Sequence, residues 1–296
     1  MNRRQFLAGA AATALAPVVL RAPSQAEPAA APDKPGGKSM LKKAFLYWML
    51  PESLSIEDRF KYARDIGIEG VEARPISDAA EIKAMRAASE KTGVAIHSLM
   101  AGGWGKPLSS ADASAAEQGV KEIKAALQCA KELGADGVLL VPAVVNAETR
   151  YVDAYKRSQE RVKMLIPTAE KLGVRILIEN VWNNFLLSPL EFARYIDEFK
   201  SPWVQAYFDV GNVVVYGWPE DWIRTLGHRI KKVHLKDFKK APRQFCNLLD
   251  GDVNWPEVRK ALGEVGYEGY LTAELDGGDE AYLKDLTKRI DKIIAG

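Results

Sequence analysis

From Leu41 onward the chain alternates short apolar runs with longer stretches in which apolar residues recur every three or four positions. The runs predict eight strands, at residues 44–50, 70–74, 94–99, 137–142, 174–180, 204–212, 230–238 and 270–275. Most are rich in Val, Ile, Leu or Tyr without clean alternation, the pattern of strands covered on both faces. The stretches between them are amphipathic: Val120, Ile123, Leu127, Ala130 and Leu133 repeat at helical spacing. Ser55 followed by Asp58 has the form of a helix start, with a capping side chain and an acid three residues on.

A glycine recurs where each helical stretch gives way to a strand. The segments DIGIEGVEAR, KTGVAIHSL, ELGADGVLLVP, KLGVRILIEN and EVGYEGYLTAEL place Gly67, Gly93, Gly134, Gly173 and Gly266 there. Glycine suits the left-handed residue that ends a helix, because it has no Cβ to clash. Eight strands alternating with helices over residues 41–296 predict an α/β fold, a single (β/α)₈ TIM barrel. The open doubly wound sheet is the alternative. It usually has a Gly-rich phosphate turn after the first strand, and here that turn reads WMLPESLS.

Residues 1–26 have a different character. Arg3-Arg4 precede Gln5-Phe6-Leu7, an apolar run reaches Leu20, and Ser24-Gln25-Ala26 offers a cleavage site. The segment resembles a twin-arginine export signal, which implies a periplasmic protein, with a general secretory signal as the other reading. Its apolar run is too short for a permanent membrane anchor. Residues 27–40 form a Pro/Gly-rich linker. The formal charge is +2, from 41 Lys and Arg against 39 Asp and Glu. Without Arg3, Arg4 and Arg21 the balance is 38 against 39, so the body gives no reason to expect a nucleic-acid partner. Two cysteines, Cys129 and Cys246, make neither a disulfide framework nor a thiolate metal site.

The chemistry concentrates at the ends of the last four strands, which in a barrel is the catalytic face. The fifth ends in ILIEN with Glu179, the sixth in AYFDVGN with Asp209, the seventh reads KKVHLKD with His234, and the eighth LTAEL with Glu274. Each alone has a plain reading: a helix cap, an Asx turn, a core histidine, a lysine partner. Together, on adjacent strands of a ring, they would face one another. Three converging carboxylates repel unless a cation joins them. One nitrogen and three oxygen donors suit Mn²⁺ foremost, or Mg²⁺ or Co²⁺, better than thiophilic zinc.

The motifs LIEN, FDVGN, RIKKVHLKDF, LDGDVNWPEVRKAL and GYEGYLTAEL resemble those of the sugar-phosphate isomerase/epimerase family, the xylose-isomerase-like barrels. The likeness is greatest to its L-ribulose-5-phosphate 3-epimerase, tagatose 3-epimerase and hydroxypyruvate isomerase branch. The resemblance implies that Glu179, Asp209, His234 and Glu274 bind the metal and that Glu179 and Glu274 form the acid/base pair. It also implies proton transfer next to a carbonyl, through a cis-enediolate. Asn212, Lys236, Glu72, His97, Trp48 and Trp182 are the candidate substrate-binding residues, with turn, surface or core roles as the alternative for each. Asp252 is read as a cap or brace for the last helical stretch. Sugar-phosphate members carry basic residues after strand three, whereas Lys106 is the only cation in MAGGWGKPLSS. The expected substrate is therefore a small unphosphorylated keto-sugar; self-association into a homo-oligomer stays open. A metal-dependent dehydratase of the inosose or dehydroshikimate type and a non-catalytic exported sugar-binding protein are the alternatives. The DNA-repair endonuclease branch needs many histidines, and this chain has three.

Overall fold

The computed structural model describes residues 41–104 and 108–296. The export-type segment at 1–26, the linker at 27–40 and Lys106 lie outside the described residues. Eight parallel strands close into one barrel: β1 Leu41–Leu46, β2 Gly70–Ala73, β3 Ala95–Gly102, β4 Gly137–Leu140, β5 Arg175–Glu179, β6 Val204–Asp209, β7 Ile230–Leu235 and, after the short strands β8 Asp237–Lys239 and β9 Gln244–Cys246, β10 Gly269–Ala273. Each barrel strand pairs with its neighbours in sequence, and the pairing of Leu41 with Gly269 through Phe45 with Ala273 closes the ring.

Helices follow the strands around the outside. They include α1 Ile56–Asp65, α2 Ala79–Thr92, α3 Ala113–Leu133, α4 Tyr151–Lys163, α5 Ile166–Leu172, α6 Pro189–Asp197, α7 Val210–Val213, α8 Pro219–Leu226, α9 Trp255–Glu264 and α10 Glu280–Ala295. Ser55 Oγ caps α1 by accepting from the Asp58 backbone N–H. All five recurrent glycines adopt positive φ, between 66° and 85°, where the chain turns from helix to strand. Among the described residues no helix is long and apolar enough to cross a membrane.

Strand alternation divides the core in two. Phe45, Val71, Ile96, Val138, Ile176, Phe208, Val233 and Leu271 pack outward with the helices. Burying each such side chain contributes about 1.5–3 kcal/mol. Leu139, Leu177, Val181 and Tyr207 form a separate cluster within the ring. The remaining interior is polar: Glu72, His97, Ser98, Thr272, Lys232 and His234 are all buried.

Three strand predictions overran by three residues or more. Residues 44–50 were expected in strand, but β1 stops at Leu46 and Tyr47–Met49 form a 3-10 turn. The sixth stops at Asp209 because its carboxylate folds back to accept the Asn212 N–H at 2.6 Å, capping α7. The seventh breaks at Lys236. The next residue, Asp237, is fully buried and accepts from the N–H groups of Phe238, Leu249 and Val253 and from Trp255 Nε1, at 2.9 to 3.3 Å. Those bonds close residues 238–253 into a flap that contains the antiparallel β8–β9 pair.

Candidate metal centre and cleft

Glu179 and Asp209 end β5 and β6, His234 is the penultimate residue of β7, and Glu274 directly follows β10. Asp209 pairs with His234, Glu179 with Tyr207 two residues before Asp209, and Glu274 lies two residues past Thr272, the partner of His234, so barrel tilt brings the four side chains together. One donor atom from each of the four lies within 4.8 Å of every other. His234 Nδ1 is 2.7 Å from Glu274 Oε2, 3.0 Å from Glu179 Oε1 and 4.0 Å from Asp209 Oδ2. Residues up to 95 positions apart in the sequence thus meet at the mouth of the ring, which only barrel closure brings about.

The electrostatics of this cluster are unbalanced. Burial pushes the Glu179 carboxyl up to about 7, and burial raises Asp209 as well. Burial also works upward on Glu274, but the His234 ring and the Lys236 ammonium outweigh it and hold that carboxyl low. His234 responds in kind: burial opposes its charge, while Glu274 and Glu72 raise it well above the usual imidazole range. Asp209 Oδ2 and Glu274 Oε2 are buried with no hydrogen-bond partner. Both lie in ion-pair range of Lys236 Nζ, at 3.3 and 2.9 Å. Buried anionic oxygens met only by ion pairs retain part of their desolvation cost, and a shared divalent cation would lower it. Three carboxylate oxygens and one imidazole nitrogen fit a hard divalent ion.

A cavity of about 250 Å³ opens above the cluster, lined by Glu179, Glu274, Lys236, Asn212, Trp182 and Trp104 among others. Trp182 is 47% exposed there. Its Nε1 donates to the Asn212 carbonyl at 2.9 Å, and its ring stacks on Phe245 of the flap at 4.9 Å. Asn212 is more constrained than a free sugar-binding amide, because its Nδ2 donates to the Asn180 carbonyl. Asn180 in turn ties the ends of β5 and β6 together, exchanging hydrogen bonds with the Asp209 backbone at 2.8 Å. A larger cavity, about 480 Å³, lies between α3 and the ends of β3 and β4. Its lining is apolar apart from Ser77 and Glu122 and gathers no set of reactive groups.

Three of the predicted substrate residues are placed elsewhere. Glu72 is fully buried inside the ring, with Oε2 2.6 Å from His234 Nε2 and 2.8 Å from the Tyr207 hydroxyl. It meets the imidazole, so it has no face for a sugar. A strand over residues 94–99 would put His97 near its end, but β3 runs on to Gly102, which leaves His97 low in the barrel. There it stacks on Tyr270 at 4.3 Å and meets Ser98 and Thr272. Burial drives its pKa well below the usual value, so it is neutral. Trp48 sits in the 3-10 turn after β1, with the Arg74 guanidinium 4.2 Å from its ring, and is not part of the cavity lining. Asp252 likewise braces the flap by accepting the Lys240 N–H, and Asn254 caps α9 in its stead. Tyr207 and Asp237 escaped the sequence reading. Tyr207 sat within an apolar run, and Asp237 followed the metal-type histidine with no mark to separate brace from ligand.

Comparison with known proteins agrees with this architecture. A putative L-ribulose-5-phosphate 3-epimerase, SgbU of Escherichia coli K12, is 26% identical over 244 residues, covering 76% of this chain and 85% of that protein. An L-ribulose-5-phosphate 3-epimerase, UlaE of Escherichia coli O1:K1, is 27% identical over 193 residues, covering 62% and 67%. Among solved structures, a 3-keto-D-glucoside 4-epimerase, YcjR of E. coli, superposes with a TM-score of 0.73 at 16% identity, over 88% of this chain and all of that one. A D-psicose 3-epimerase gives 0.72 at 18% identity, over 86% of this chain and 100% of its own. The family model for the xylose isomerase-like TIM barrel matches residues 60–293. With a closed ring of eight parallel strands and a family match across most of its length, the chain belongs to the xylose isomerase-like TIM-barrel family.

Proposed function

We propose that this protein is a divalent-metal-dependent sugar isomerase or epimerase acting on a keto-sugar without a phosphate group. The observation that carries the reading is the convergence of Glu179, Asp209, His234 and Glu274 within 4.8 Å at the floor of an open cleft. These four would hold the ion, which when bound supplies Lewis-acid stabilisation of negative charge on sugar oxygens. Glu179 and Glu274 come from opposite ends of the four-strand arc and both line the cavity. One takes the proton from the carbon next to the carbonyl, and the C–H electrons pass into an enediolate. The other returns a proton, to the opposite face for epimerisation or to the neighbouring carbon for isomerisation.

The cavity also supports an uncharged substrate. Among the described lining residues Lys236 is the one cation, and Asp209 and Glu274 already engage it. The export-type segment at residues 1–26 is consistent with a free sugar met in the periplasm. The test is solvent exchange: free ketoses, their phosphates and inososes are incubated with the Mg²⁺-loaded protein in D₂O and followed by NMR. Deuterium should appear at carbon beside the carbonyl of a free ketose. Sugar binding without exchange at any carbon would overturn the reading, and water loss from an inosose would point to a lyase.

A further inference from the structure

Below the four donors, inside the ring, His234 has a partner on its other side. Glu72 comes from β2, which stands three strands away from β7 around the barrel. Both side chains are fully buried, and Glu72 Oε2 approaches His234 Nε2 to 2.6 Å. The same oxygen accepts from the Tyr207 hydroxyl at 2.8 Å, and the Tyr207 ring packs on the imidazole with centroids 4.2 Å apart. A carboxylate can only accept, so Glu72 holds a hydrogen on Nε2, and the carboxylates on the other side hold one on Nδ1 unless a cation replaces it. With a cation shared by Glu179, Asp209 and Glu274, the one proton of the imidazole would be on Nε2, facing Glu72, and the Nδ1 lone pair would face the ion. Nδ1 is the nitrogen that faces Glu179, Asp209 and Glu274.

We propose that Glu72, held by Tyr207, is a positioning residue that fixes His234 in its Nε2–H form and so reserves Nδ1 for the metal ion. The inference rests on the metal reading above and adds a residue from a strand that contributes no ligand. A carboxylate behind a metal-binding imidazole sets the ring orientation and raises its basicity, and removing such a partner typically costs about 10- to 100-fold in metal affinity. An alternative would make Glu72 a purely structural partner, which would affect folding but leave the metal alone.

The test uses the folded protein and two readouts besides activity. The dissociation constant for Mn²⁺ is measured by paramagnetic resonance of the free ion, in the wild type and in Glu72→Gln, which keeps the shape but loses the charge. Imidazole ¹⁵N spectra of the Mg²⁺-loaded protein report which nitrogen carries hydrogen, and with three histidines in the chain His234 is readily assigned. The wild type should show hydrogen on Nε2 and none on Nδ1. Glu72→Gln should bind Mn²⁺ about 10- to 100-fold more weakly. A folded Glu72→Gln with a lower melting temperature and an unchanged constant would overturn the inference and leave the metal reading intact. So would hydrogen on Nδ1 in the wild type. If Glu72→Gln does not fold, Tyr207→Phe removes only one O–H and should weaken Mn²⁺ binding in the same direction by less; an unchanged constant there would also overturn it. A wild type that takes up no Mn²⁺ would remove the metal reading and this inference together.

Discussion

The ammonium of Lys236 lies 2.9 Å from Oε2 of Glu274, with Asp209 Oδ2 only slightly farther away. Burial opposes charge on Lys236, yet Asp209, Glu274 and Glu179 outweigh it and keep the side chain firmly protonated. It therefore repels a divalent ion while offering N–H donors to the cleft. In Lys236→Met the Mn²⁺ constant should stay the same or tighten, while turnover falls by about 10²–10³-fold, the usual cost of one donor to a developing oxyanion. Measuring both on one preparation decides the matter: loss of metal together with turnover would reduce Lys236 to a packing role.

Glu179→Gln and Glu274→Gln should each lose about 10²–10⁴-fold in solvent deuterium exchange, because each removes a proton-transfer group. Circular dichroism should be unchanged, since both residues stand at the rim of the ring, where the backbone pairing does not depend on them. Exchange at the wild-type rate in either variant would exclude that glutamate from the acid/base pair.

The raised carboxyl of Glu179, about 7 against an ordinary 4.5, links stability to pH. Between those values the native state holds a proton that the unfolded chain has lost, so this group makes the metal-free protein less stable as pH rises through the window. A cation needs the ionised form and expels that proton. The rise in melting temperature on adding Mn²⁺ should therefore grow from about pH 5 to about pH 8. Scanning calorimetry with and without metal measures it, and a pH-independent increment would mean that Glu179 does not ligate.

Asp237 holds the flap through four N–H donors. Asp237→Ala strands those donors in the interior and should cost about 3 kcal/mol or more in chemical denaturation. The Trp182–Phe245 stack depends on the same flap, so tryptophan fluorescence should report its loss below the global midpoint. A single transition at the wild-type midpoint would rule out this bracing.

Gly211, in the FDVGN motif, packs against the chain just past β7. A Cβ there would come within 2.5 Å of Lys236 Cβ and 2.9 Å of its carbonyl. Gly211→Ala should destabilise by about 1–3 kcal/mol through overpacking and should displace Lys236 from Asp209 and Glu274. Denaturation together with turnover tests this, and full activity at normal stability would show that the segment yields.

Some of this was legible in the sequence because the signals are local. Strand runs, helical periodicity and the glycines at Gly67, Gly93, Gly134, Gly173 and Gly266 each reflect the conformational preference of a few neighbouring residues. The four ligand-type residues stood out because each put a polar group at the end of an apolar run. Strand ends were less legible. Asp209 caps a helical turn and Asp237 gathers a loop, and both choices depend on which N–H groups the fold brings near.

The sequence by itself determined the order and spacing of strands and helices and placed Glu179, Asp209, His234 and Glu274 at the ends of their strands. Only the tertiary structure decided that Glu72 serves His234 and that His97 lies in the barrel floor. It also decided that Lys236 is drawn into the carboxylate cluster. The physical reason is ring closure: pairing β1 with β10 fixes tilt and stagger, and those set which inward side chains from distant strands share a level. No local pattern encodes a 2.6 Å contact between residues 162 positions apart.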